Sequence, residues 1–111
     1  MTTTLRVLVP AKIVENTQVT QYTASAVTAI IDKFTCTNYS GSQATISVNI
    51  VTLADTSGNQ NLITKTKSLQ ASEVYTFPEL VGQVIAPGGF ISTIAGTITS
   101  INMRVSGREI S

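Results

Sequence analysis

Gln43-Ala44-Thr45-Ile46-Ser47-Val48-Asn49-Ile50-Val51-Thr52-Leu53 alternates apolar with hydroxyl- and amide-bearing residues. Successive side chains of an extended chain point to opposite faces. Ala44, Ile46, Val48 and Ile50 therefore face one way, and Thr45, Ser47 and Asn49 the other. The stretch predicts a strand with one buried face.

Working outward, Asn38 to Ser42 is a turn cluster containing Gly41. Before it, Ala26 to Thr37 carries Ile30, Phe34 and Cys36 on one face. Asp32 falls on that face too, and needs a bulge or a hydrogen-bonded carboxylate to be tolerated there. The two strands around a short polar loop predict an antiparallel hairpin. Downstream, Asp55 to Asn61 is a second turn cluster. Leu62 to Leu69 reads as a lysine-bearing edge strand, since lysine discourages unwanted pairing. Ser72 to Phe77 is another strand, closed by Pro78. Glu79 to Ile85 reads as a connecting loop whose Leu80, Val81 and Val84 plug the end of the core, or as one short helical turn. Pro87-Gly88-Gly89 is a turn. Phe90 to Ile94 is a strand, Ala95-Gly96 a tight turn, and Thr97 to Val105 the last strand, with Thr99, Ile101, Met103 and Val105 on one face. Gly107 and the polar residues after it close the chain. With Val19 to Ala24 and Leu5 to Val9, the count is seven or eight mostly antiparallel strands with turns every roughly 8–12 residues. That spacing predicts one all-β domain spanning residues 1–111, a β-sandwich of immunoglobulin-like or jelly-roll type.

Composition narrows the chemistry. Charged residues make up only 12% of the 111 residues, with seven basic, six acidic and a net charge of +1. An average soluble domain has about 25%. Weak mutual repulsion favours association, so the surface reads either as a Thr-coated monomer or as one largely covered by partners. No basic cluster exists for nucleic acid, and no apolar run reaches the roughly 18 residues of a membrane span. The start, Met1 to Val7, lacks a signal-peptide layout.

The sequence has no histidine. The commonest general base and metal ligand is therefore missing, and neither a Ser-His-Asp nor a Cys-His arrangement can be built. Cys36 is alone and reads as a small buried hydrophobe. Glu15, Asp32, Asp55, Glu73, Glu79 and Glu109 are scattered, without the facing pair a glycosidase needs. Asp55 looks like half of a calcium loop but reads better as a turn-stabilising residue, since no bidentate Glu follows. Tyr22, Tyr39 and Tyr75 either form a stacking platform for a sugar or base, or are core and rim residues. The expectation is a non-enzymatic protein with no catalytic residues, no cofactor and no metal.

Ile30-Ile31-Asp32-Lys33-Phe34-Thr35-Cys36-Thr37-Asn38, then Ala44-Thr45-Ile46-Ser47-Val48-Asn49-Ile50, Val74-Tyr75-Thr76-Phe77-Pro78-Glu79-Leu80-Val81, Ile91-Ser92-Thr93-Ile94-Ala95-Gly96 and Ile101-Asn102-Met103-Arg104-Val105-Ser106-Gly107-Arg108-Glu109, taken in that order, resemble small virion structural proteins of tailed bacteriophages. The resemblance covers about Ala26 to Ser111. It implies a non-enzymatic, multimerising β-sandwich at the head-to-tail region, as a collar or neck component, or a capsid decoration protein. Its partners would be further copies of itself and other virion proteins (portal, connector or capsid). Assembly would take place in the host cytoplasm, with the protein ending in the virion. A carbohydrate-binding or host-adhesion module is the alternative from another class.

The chain start carries the assembly expectation. Leu5, Val7 and Val9 lie on one side of a segment stopped by Pro10. Residues 1–10 read as a first sandwich strand, or as an arm, mobile at Thr2-Thr3-Thr4, that adds to a neighbour's sheet. In the second case Leu5, Val7 and Val9 are the contacts, and the domain should fold without Thr2 to Val9.

Overall fold

The computed structural model describes Met1–Ser111 and contains nine strands. They are β1 (Thr3–Ile13), β2 (Val19–Thr23), β3 (Thr28–Asn38), β4 (Ala44–Val51), β5 (Leu62–Leu69), β6 (Val74–Thr76), β7 (Val84–Ile85), β8 (Phe90–Ala95) and β9 (Ile101–Ile110). A single 3-10 turn at Asn59–Asn61 is the only helical element. One sheet has the order β1-β9-β3-β6, with β7 sharing β6's side of β3, and the other has the order β2-β8-β4-β5. Every pairing is antiparallel.

The pairings are nested. β4 pairs with β5, β3 with β6 and β7, β2 with β8, and β1 with β9. The chain is one long hairpin rolled up so that successive arms alternate between two sheets. That is the jelly-roll arrangement, and it resolves the choice between the two sandwich types.

The core lies between the sheets. Ile46 and Val48 of β4 meet Phe34 and Cys36 of β3 and Ile101, Met103 and Val105 of β9, all fully buried. Ile50 is half-buried at the margin of the same cluster. Phe77 stacks edge-on against Phe34 at 5.0 Å between ring centroids and against Tyr75 at 4.6 Å. Each such buried side chain contributes roughly 1.5–3 kcal/mol.

Several local expectations change. β3 and β4 do not form a hairpin, because they belong to different sheets and the 39–43 loop crosses between them. Asn38 makes this corner: its buried amide donates to the carbonyls of Ser42 (2.8 Å) and Leu69 (3.0 Å), and its oxygen accepts the Ser40 N–H. Pro10 does not stop β1, which runs on to Ile13; the strand is an edge, where a missing N–H can face solvent. The Thr2-Thr3-Thr4 start is not a loose arm, since Thr2 and Ser111 exchange two main-chain hydrogen bonds. The last strand, expected over Thr97 to Val105, starts only at Ile101 and runs on to Ile110. The polar stretch Gly96 to Ser100 is a wider turn than the expected tight one. Of the presumed plug, only Leu80 is buried; Val81 and Val84 are exposed, and Val84 belongs to a short strand.

The Asp32 problem is solved by a bulge. The β3–β9 register shifts between Ile31 and Lys33, so the buried set is Ala29 and Ile31 before the bulge and Phe34 and Cys36 after it. Ile30, expected on the core face, is therefore turned to the outer one. Asp32 is outside, paired with Arg108 (Nη2–Oδ1 2.9 Å, Nε–Oδ2 3.0 Å).

Candidate assembly surface

A jelly roll of two open sheets has four edges, and an unprotected edge recruits another strand. Three of the four are blunted here. β5 carries Lys65 and Lys67 and a register break against β4. β6 and β7 are three and two residues long. β2 has five residues with a break between Thr20 and Tyr22. The β1 edge is different. From Thr3 to Val7 it has continuous register with β9, without bulge, proline or lysine.

This is where Leu5 and Val7 lie. Leu5 is 79% exposed and Val7 46% exposed, whereas Val9 is 1% exposed. The three expected contact residues therefore separate. Leu5 and Val7 are on the outer face, and Val9 is in the domain's own core and cannot be a contact. The cause is a register break between Val7 and Val9, which sends both Leu8 and Val9 inward. Deleting Thr2 to Val9 would thus strip Leu8 and Val9 from the core, contrary to the expectation that the domain folds without them.

Across the outer face, Leu5 lies opposite Arg108, Arg108 opposite Ile30, and Ile30 opposite Val84. Directly opposed residues share a face, so this row runs from the β1 edge to β7. A hollow of about 350 Å³ beside it is lined by Leu5, Arg6, Val7, Asp32, Ser106 and Gly107. Inside the sheet, Arg6 Nε donates to Glu109 Oε1 at 3.0 Å, and the Tyr22 hydroxyl donates to Glu109 Oε2. Burial, then this bond to a carboxylate, raises the Tyr22 pKa above its ordinary value. The trio closes the open end of the sandwich beneath β1. No local signal could have revealed it, because Arg6 and Glu109 are 103 residues apart in sequence.

Several other polar groups are held by hydrogen bonds within the domain. Lys12 and Gln21 both donate to Glu15, and those two bonds hold its carboxyl below the ordinary value. Burial alone would raise Glu79, but hydrogen bonds, the Thr64 and Tyr75 hydroxyls among them, bring it below. Burial pushes the Cys36 thiol up to about 12. Asp55 accepts the Thr56 N–H at 2.8 Å within its own turn. The three tyrosines build no common platform: Tyr22 is tied to Glu109, Tyr75 packs on Phe77 beneath Lys67, and Tyr39 stands exposed in the corner loop.

On the other sheet, the 52–61 loop folds over the outer face of β4. Asn49 anchors it by donating to the Gly58 carbonyl (3.0 Å) and to Asn61 Oδ1 (2.7 Å). The cleft left there, about 330 Å³, is polar and has no aromatic side chain. No helix is long and apolar enough to cross a membrane. Comparison with protein-family models, curated proteins and solved structures returned no match.

Proposed function

We propose that this chain is a non-enzymatic virion structural protein that works as repeated copies. Its place would be the head-to-tail region of a tailed bacteriophage, as a collar or neck component docked on a portal, connector or capsid ring. One observation carries the reading: an otherwise edge-protected jelly roll leaves the Thr3–Val7 edge open and places two exposed aliphatic side chains, Leu5 and Val7, on it. Low charge supports it. The fold alone does not, since jelly rolls also serve as lectins and cupins.

The test is incorporation. The double variant Leu5→Lys, Val7→Lys changes only exposed side chains, so its stability should stay within about 0.5 kcal/mol of the parent. Particles lacking the protein should bind the parent chain and reject the variant. Electron microscopy of reconstituted particles distinguishes a neck location from one spread over the capsid. If the parent binds no particle, or the variant binds equally well, the proposal fails.

A further inference from the structure

The β1 edge is complementary to itself. Thr2 and Ser111 exchange two main-chain bonds (3.0 and 2.9 Å), which fixes the phase of the β1–β9 ladder. Bonded pairs alternate with non-bonded ones in an antiparallel ladder. With continuous register from Thr3/Ile110 to Val7/Ser106, Thr4 and Arg6 bond to β9. Thr3, Leu5 and Val7 point their N–H and C=O groups away from the sheet. These open main-chain groups belong to the residues whose side chains stand on the outer face.

We infer that a second copy of this chain pairs antiparallel along this edge, about a two-fold axis at Leu5. In that register Leu5 bonds to Leu5 of the copy, and Thr3 and Val7 bond to each other's counterparts, so all three open residues are used on both strands. The Leu5 side chains meet side by side on the outer face, and Arg6 lies opposite Thr4. A two-fold at Arg6 would set two guanidinium groups directly opposite, which is destabilising. A two-fold at Thr4 would pair Val7 with Met1, outside the Thr3–Val7 stretch. The bulge at Leu8, followed by Pro10, ends the pairing on one side and discourages slippage. In the Leu5 register each Arg6 keeps its Glu109 partner and faces Thr4, so no like charges meet across the seam. The result joins two β1-β9-β3-β6 sheets into one continuous sheet, an isologous dimer.

This deepens the proposed function: it rests on the β1 edge being an assembly surface, but not on where in a particle the assembly sits. Cross-linking in solution tests it separately. Bonded antiparallel pairs have Cβ atoms up to about 5.5 Å apart, wide for an unstrained disulfide but within reach of a thiol cross-linker spanning about 5 Å. Leu5→Cys should therefore give a covalent dimer with such a reagent. Val7→Cys, displaced from its own counterpart by about 13 Å, should give at least roughly tenfold less. The native Cys36 is buried and adds no background. Sedimentation should show the parent associating with concentration. Leu5→Pro removes one outward N–H at a position where edge strands accept proline, so it should stay monomeric with an unchanged circular dichroism spectrum. A strictly monomeric parent, or equal cross-linking at positions 5 and 7, overturns the two-fold pairing. Leu5→Lys, Val7→Lys could still fail to enter particles in that case, and the assembly role would survive with a different occupant of the edge.

Discussion

Gly107 is the one glycine inside a strand, and replacing it by alanine should strongly destabilise the domain. Gly107 sits in β9 between Arg6 of β1 and Ile31 of β3, beside the Asp32 bulge. A Cβ there would lie far inside van der Waals contact with the Ile30 carbonyl oxygen, 3.1 Å from its carbon and 3.0 Å from Leu8 Cδ1. Glycine in a strand marks such close approach of another backbone. The clash cannot be relieved by a rotamer change, because its main partner is main chain. Ile30 is paired on both sides, with Arg108 of β9 and Val84 of β7, so moving it breaks one ladder or the other. Overpacking costs about 1–3 kcal/mol when side chains can yield; here the upper end, about 3 kcal/mol, is expected. For a domain of this size that is a fall in Tm of roughly 12 °C. Thermal unfolding followed by circular dichroism measures it, with Gly41→Ala as the control, since nothing lies within 4 Å of a Cβ at Gly41. A Gly107→Ala protein melting within about 3 °C of the parent, a cost below roughly 1 kcal/mol, would refute the close-approach argument.

Val48→Asp puts a carboxylate into the fully buried centre of the core without a partner and should abolish cooperative unfolding, read by the same melts. Asn38→Ala removes the buried amide's bond to the Leu69 carbonyl and the oxygen that accepts the Ser40 N–H, and should cost roughly 2–3 kcal/mol in urea titration. The Cys36 proton is retained by the folded state up to about 12 against an ordinary 9.0, so its contribution to stability is complete below pH 9. That contribution is lost above pH 9 at up to about 1.4 kcal/mol per pH unit; Cys36→Ala should flatten the alkaline limb of a stability–pH profile. Glu15 has the opposite sign: its lowered pKa gives stability that is present above its ordinary 4.5 and lost as pH falls through the lower folded value, so Glu15→Gln should flatten the acid limb.

The strands were legible wherever one face is buried by the opposing sheet. β4 and the 101–105 part of β9 read directly from alternation, and Lys65 and Lys67 marked an edge correctly. What local pattern misses is a change of phase. At Asp32 and at Leu8 an extra residue swaps the faces, opposite the Val105–Gly107 stretch of the neighbouring strand. The β3–β4 connection had the composition of a hairpin turn, yet the amide of Asn38 ties it to Leu69, a residue 31 positions away. Leu5 and Val7 stood out in the sequence because the Leu5–Val9 segment is apolar on both faces except for Arg6. Val9 looked the same and differs only through the bulge between them. The openness of the edge was invisible in the sequence, since it depends on which strands lie beside which.

The nesting of the strand pairs also bears on how the chain reaches its fold. Thr3 and Ile110 are partners, a separation that would make a single closure slow, because contacts between distant residues retard folding. If β4 and β5 pair first, however, each later pair closes only the short connection left by the one inside it. Loop-closure entropy grows by about 0.6 kcal/mol per doubling of length, so a zipper running outward meets a series of small barriers instead of one large one. β1 joins last on that route. Until it does, β9 presents its own unpaired side to solvent, and the β1 of a neighbouring chain can fill the place as well as its own. At high concentration during synthesis, exchange of β1 between molecules is then the characteristic error of this topology, and a locally concentrated product would emerge as interlocked pairs.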